Sequence, residues 1–270
     1  LPVVTVAGAF WWAMDRNTGP AAPLAVYPPA QRLPLAGNDE PYHGISWQIH
    51  HAQHCVEEAR LVLGQIADLG ADTVLISNPG YQEHAGSESF QIDPAVTPSP
   101  EQWQEIFKIA HSNGLRVVLM PIILLSNPRG TEWRGVISPP SWDDWFDQYR
   151  KFISYFAKIA ADGKVEVLMV GSELVSTEKY TDQWRRVVRE VRQVFPGKLS
   201  YSANWDHYKV VELWDELDLV GMTSYYKLSS DPNPGYEALL DAWKPLKKGL
   251  LKWQSTVNKP LLFTEVGWCS

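Results

Sequence analysis

The chain reads as an α/β protein, a (β/α)8 or TIM barrel, on three observations. Its 270 residues match the roughly 250 of such a barrel. Short β-branched runs alternate with longer amphipathic segments, the rhythm of βα units on a parallel sheet. Several amphipathic segments end in a glycine just before the next apolar run, where a helix would stop.

The elements follow in order. Residues 1–13 (LPVVTVAGAFWWA) are apolar and too short to span a bilayer. Two readings stay open: the tail of a signal peptide or membrane anchor, or an extra buried strand. Residues 18–41 carry six prolines and no apolar periodicity, so they read as a linker. Residues 1–41 are therefore a lead-in, and residues 42–270 the barrel. Strands are expected at 43–47, 72–77, 116–121, 165–171, 199–203, 219–224 and 260–265. Between them, Cys55, Ala59, Val62, Ile66 and Leu69 lie close to one helical face. Trp103, Ile106, Phe107 and Ala110 fall at helical spacing, as do Trp184, Val187, Val188 and Val191. Ser99 caps a helix with Pro100 at its first position, followed by Glu101. Gly70, Gly114, Gly163 and Gly197 are expected as left-handed C-caps. Seven strands result where a closed barrel needs eight. Either the last βα unit is lacking after the seventh strand, or the N-terminal run fills the gap.

Composition narrows the function. The chain has 24 basic and 31 acidic residues, a net charge of −7, and no basic stripe, so nucleic acid is not an expected partner. Its 13 Trp and 11 Tyr suit either helix packing or flat platforms for sugar rings. Two cysteines make no disulfide framework, and no zinc spacing is present. There is no GxSxG elbow and no glycine-rich phosphate loop. His50 and His54, with His51 between them, stand one helical turn apart, but there is no glutamate of the HExxH kind and no third ligand can be named. No metal and no cofactor is implied.

In a (β/α)8 barrel the chemistry sits at the C-terminal ends of the strands. Glu173 follows the apolar run VEVLMVGS, and Glu265 follows PLLFT. A charge there would be expensive unless it faced the open mouth or a partner. Two carboxylates facing across a cleft are what glycoside hydrolysis uses, about 5 to 5.5 Å apart in retaining enzymes. Helix capping or ion pairing is the plainer alternative for either one alone.

The chain from residue 43 onward resembles glycoside hydrolase family 113, a clan A barrel family known for β-mannanases. The matching pieces are Glu132-Trp133-Arg134-Gly135, Trp145-Phe146 to Tyr149-Arg150, Gly171-Ser172-Glu173-Leu174, Ser202-Ala203-Asn204-Trp205-Asp206, Trp214 through Leu217-Asp218, Ser224-Tyr225-Tyr226 and Phe263-Thr264-Glu265-Val266-Gly267-Trp268. The resemblance implies Glu173 as acid/base, Glu265 as nucleophile, and Tyr225 beside the nucleophile, with Tyr226 as the fallback. A Tyr225 hydrogen bond would keep ionised Glu265 at a low pKa. Ser172 departs from the asparagine usual in the clan, so Asn204 is the candidate for the sugar 2-hydroxyl. Trp205 and Trp268 are candidate sugar platforms or core residues, and Trp133, in the loop after the third strand, is a candidate substrate contact. Arg134 either binds a hydroxyl or pairs with an acid. Asn78 and Tyr81, read as following the second strand, are candidates for the cleft wall.

The expected function is double-displacement cleavage of β-linked glycans, favouring β-1,4-mannan or manno-oligosaccharides. The alternatives are another β-glycan as substrate, a non-catalytic sugar-binding barrel, and a metal-dependent hydrolase built on the histidine cluster. The expected partner is an oligo- or polysaccharide, the expected state a monomer, and the expected location extracytoplasmic, secreted or anchored through the N-terminal run.

Overall fold

The computed structural model describes residues 4–7, 35–37 and 39–267. The Pro-rich stretch lies mostly outside these residues, as do Trp268 and Cys269. Eight parallel strands run in the order of the chain: β1 (Val4–Ala7), β2 (His43–Gln48), β3 (Thr73–Gln82), β4 (Arg116–Leu125), β5 (Val167–Ser172), β6 (Lys198–Ala203), β7 (Leu219–Ser224) and β8 (Leu261–Val266). β1 supplies the stave that the repeating part lacks. Thr5 pairs with His43 of β2 on one side and with Phe263 of β8 on the other, which closes the barrel. The barrel therefore lacks no strand: the eighth comes from the N-terminal run, Glu173 directly follows β5, and Glu265 lies in β8.

Helices α1 (Cys55–Asp68), α2 (Pro100–Ser112), α3 (Trp142–Asp162), α4 (Thr181–Arg192) and α5 (Tyr236–Val257) lie between strands. Between β6 and β7 there is only a short 3-10 turn, Trp214–Glu216. The period-2 alternation of β4 divides the core. Val118, Met120 and Ile122 join Leu75, Val167, Met169, Leu219 and Leu262 in one cluster. Val117, Leu119 and Ile123 join the helix residues in a second, larger cluster. Alternate side chains thus fill the barrel and glue on the helices, as a strand buried on both faces requires.

Several expectations shift. β3 and β4 are longer than expected and stay in register as far as Gln82 and Leu125. Asn78 and Tyr81 consequently lie within β3, not after it. The buried face of α1 is Cys55, Ala59, Leu63, Ile66 and Ala67, while Leu69 is exposed. Leu69 falls beyond the last turn and has no face to share. The Ser99 cap forms a full capping box with Gln102, and Pro100 occupies the first turn. Gly70 and Gly114 take positive φ, as C-caps should. Gly163 does not (φ −84°), and Lys164 takes the left-handed position instead. Gly163 is needed for space: a Cβ would stand 2.1 Å from the Phe107 ring. Gly197 likewise has ordinary φ and makes room for Phe195.

The bottom of the barrel is pinned by one charge pair. Arg116, with 0% exposure, donates to Asp72 at 2.6 Å. It also donates to the carbonyls of Gly37, Glu40 and Pro41, and its guanidinium lies 4.1 Å from the Tyr42 ring centre. Asp72 further accepts from the His43 amide and the Thr73 hydroxyl. Burial pushes the Asp72 carboxyl up, but these donors together outweigh it and hold it below its ordinary value. Its contribution to stability is therefore present at neutral pH and lost as the pH falls below the ordinary aspartate range. Arg116→Met would leave Asp72 buried without its cation. The expected loss is about 3–5 kcal/mol, read as a lower midpoint in urea. An unchanged midpoint would show that the pair is dispensable.

Candidate active site

Both glutamates sit where the strand register slips. β5 and β6 pair evenly from Val167 to Met169, then the register shifts before Ser172 meets Ser202. β7 and β8 shift between Met222 and Thr223, so that Phe263 and Glu265 face successive residues and Thr264 is skipped. Such irregularities bend a strand and re-aim its side chains, and they gather near active sites. Glu173 is also held at φ 52°, a left-handed backbone that a non-glycine residue adopts only under constraint.

Glu265 is buried, with 4% exposure. Tyr225 follows β7 and donates to its Oε2 at 2.6 Å. Its Oε1 is buried with no hydrogen-bond partner among the described residues. Glu173 accepts from Nη2 of Arg134 at 2.6 Å, and both side chains are mostly buried. The four groups feel one another's charge, since Glu173 and Arg134 both act on Glu265 and on Tyr225. Burial drives the Tyr225 phenol well up, with Glu265 adding to it, so the hydroxyl stays a donor. The expected low pKa of Glu265 is overturned. Burial raises it above its ordinary value, Glu173 adds to the rise, and the Tyr225 hydrogen bond and Arg134 only partly oppose it.

Arg134 therefore pairs with an acid, the plainer of its two readings. Trp133, beside it, is 38% exposed, with its ring lying over Gly135, where a Cβ would meet it at 2.2 Å. The loop carrying both is fastened to the rim of β3. Glu132 accepts from the Ala85 and Arg129 amides. Gln82 donates to the carbonyls of His84, Ala85 and Ser87, and accepts from the Trp145 indole at 3.0 Å.

The other candidates divide. Asn204 accepts through Oδ1 from the Trp205 amide and the Thr223 hydroxyl, which engages that oxygen within the protein. Trp205 is half-buried against the core, edge-on to Tyr226 at 5.2 Å, and its carbonyl accepts from the Tyr226 hydroxyl. Tyr226 thus holds Trp205, while Tyr225 alone of the two holds Glu265. Asn78 is fully buried and reaches the Val96 carbonyl, and Tyr81 is bridged through its backbone to Gln91. Their contacts lead to the loop after β3, not to either glutamate. Trp268 lies outside the described residues. Ser172 is buried, and its hydroxyl has no partner among the described residues. Among the described residues no cluster of three or more His, Cys, Asp or Glu could hold a metal, and no helix is long and apolar enough to cross a membrane.

Sequence reasoning passed over Glu178, Tyr201 and His207. The Glu178 side chain is 1% exposed, accepts from the Tyr201 hydroxyl at 2.8 Å and lies 2.5 Å from Nδ1 of His207. No motif joins residues that far apart, so only the fold reveals the group.

The raised proton affinity of Glu265 makes its charge a cost to folding. Stability is expected to fall as the pH rises from the ordinary glutamate value through the raised one. Glu265→Gln removes that charge. It is expected to raise Tm at neutral pH by about 2–4 °C, the shift for about 1 kcal/mol in a chain of this order. A lower Tm than that of the parent protein would show the charge to be fully compensated.

Comparison with known proteins places this geometry. The profile of Glycoside Hydrolase Family 113 matches residues 44–270. The solved β-mannanase AaManA of that family, from Alicyclobacillus acidocaldarius and in complex with ManMIm, is 27% identical. The match covers 86% of this chain and 73% of that one, with a TM-score of 0.74. Two solved structures of family 113 β-1,4-mannanase, with TM-scores of 0.66 and 0.68, are each 24% identical. They cover 82% and 84% of this chain, and 70% and 72% of their own. No curated protein matches. A profile matched over most of the chain, on a barrel with paired glutamates at its strand ends, makes this protein a glycosidase that belongs to glycoside hydrolase family 113.

Proposed function

We propose that the protein is a retaining glycosidase that cleaves β-1,4-mannan or manno-oligosaccharides, with Glu265 as nucleophile and Glu173 as general acid/base. The carrying observation is the state of Glu265: one oxygen is held by Tyr225 and the other has no hydrogen-bond partner among the described residues. A carboxylate oriented through one oxygen presents the other for attack. The substrate class is favoured by the solved β-mannanase at 27% identity.

In the first step Oε1 of Glu265 attacks the anomeric carbon as the bond to the leaving oxygen breaks. Glu173 gives that oxygen its proton. Oε2 of Glu173 is occupied by Arg134, so Oε1 is the oxygen suited to carry the proton. In the second step water attacks the glycosyl-enzyme, Glu173 takes the water's proton, and Glu265 departs. Two inversions give net retention. Trp133, exposed next to Arg134, is the platform best placed for a sugar ring. Trp205 and Asn204 line the neighbouring strand ends, and the Ser172 hydroxyl, without a partner among the described residues, is a candidate contact for a substrate hydroxyl.

Hydrolysis of β-1,4-manno-oligosaccharides followed by NMR is expected to show the β anomer first, and Glu265→Ala to abolish it. First-formed α product would rule out double displacement. Turnover confined to gluco- or xylo-oligosaccharides would keep the mechanism and replace the substrate.

Tyr225→Phe tests the electrostatics. Losing the donor lets the Glu265 carboxyl rise further, so the acid limb of the kcat/KM profile moves to higher pH. The expected drop in kcat/KM at its optimum is about 10- to 100-fold, the loss for a hydrogen bond to a charged group. A profile that keeps its acid limb would remove Tyr225 from the nucleophile's environment.

A further inference from the structure

The left-handed backbone at Glu173 needs something to hold it, and the structure shows what does. On its N-terminal side the Glu173 amide donates to the Ser202 carbonyl at 2.8 Å, which continues the β5–β6 ladder past the register slip. On its C-terminal side the Leu174 amide donates to the Tyr201 hydroxyl at 3.0 Å, a side chain reaching over from β6. Tyr201 is fully buried and packs edge-on against Trp184 at 5.2 Å, so its oxygen has little freedom to move.

That hydroxyl in turn donates to Oε1 of Glu178 at 2.8 Å, and Oε2 of Glu178 meets Nδ1 of His207 at 2.5 Å. Glu178 touches none of the groups assigned to the chemistry. Yet burying a carboxylate is expensive, and burial raises its proton affinity despite His207 and Tyr201. A neutral acceptor would satisfy the tyrosine proton equally well in count. A carboxylate polarises the hydroxyl so that its oxygen becomes a stronger acceptor for the Leu174 amide. The chain His207–Glu178–Tyr201–Leu174 therefore ends one peptide bond from Glu173.

We propose that Glu178, acting through Tyr201, is a positioning residue that fixes the Glu173 backbone in the geometry needed to protonate the leaving group. The proposal rests on the reading of Glu173 as general acid.

Its signature is leaving-group dependence. Acid assistance matters for a poor leaving group and hardly at all for one that departs without a proton. Aryl β-mannobiosides carrying phenyl and 2,4-dinitrophenyl groups would be compared by kcat/KM, which reports the first step. Tyr201→Phe keeps the ring packing and removes only the hydroxyl, and Glu178→Gln keeps the shape and removes the charge. Both are expected to lose about 10-fold or more on the phenyl substrate and less than about 3-fold on the dinitrophenyl one, a fraction of what full acid catalysis supplies. Glu173→Ala, run beside them, should show the same asymmetry at full size. Equal losses on both substrates, or no loss on either, would reduce the relay to packing and overturn the proposal. Should Glu173→Ala itself lack the asymmetry, the acid assignment falls and the proposal with it, an outcome distinct from the first.

Discussion

A strand buried on both faces leaves a charge nowhere to go except its two ends, and this barrel is organised by that constraint. Between the ends, β3 to β5 are almost wholly apolar or small. At the lower end Arg116 and Asp72 neutralise each other and hold the lead-in to β2. At the upper end Glu173 and Glu265 stand where the register slips. In the lower pair both terminal nitrogens of Arg116 and both oxygens of Asp72 are engaged, and the pair serves stability. In the upper pair Oε1 of Glu265 has no partner among the described residues.

The two carboxylates are compensated differently. Glu173 has a full cation in Arg134, whereas Glu265 has a neutral hydroxyl in Tyr225 and a largely buried setting. A symmetrical site would give two carboxylates the same character. Here one is tied by charge and the other by a single directional bond, so the two carboxylates are not equivalent. The backbone contributes as well: a left-handed turn at Glu173 is a local cost, and beside it the Ser202 carbonyl and the Tyr201 hydroxyl of β6 accept from the Glu173 and Leu174 amides.

What the sequence revealed follows physical range. Strand ends were legible because an apolar run that stops at a glutamate is a local pattern, and the Ser99 capping box because its partners are three residues apart. Tyr225 beside Glu265 came only by resemblance to a known family, as 40 residues separate them. The Gly163 and Gly197 assignments failed because a glycine before a strand can serve space as well as conformation: Gly163 makes room for the distant Phe107 ring, and Gly197 for the ring of nearby Phe195. Glu265's raised proton affinity was hidden because a hydrogen bond is visible as a residue type, while burial emerges only from packing. The closing strand stayed undecided in the sequence because apolar residues near a chain start fit more than one fate, and its pairing with β8 is a matter of tertiary structure.

The lacing of the rim by Gln82 has a thermodynamic consequence. One amide group grips three carbonyls of the loop after β3, Trp145 fixes that amide from below, and Glu132 ties the same loop to the segment bearing Trp133 and Arg134. These bonds order the loop from within the protein, without any ligand. A ligand docking against it loses little to ordering the protein, so affinity can come from a few contacts. On the function proposed above, the same ordering would narrow tolerance: a branch or a bent linkage that needs this loop to move would bind at a cost.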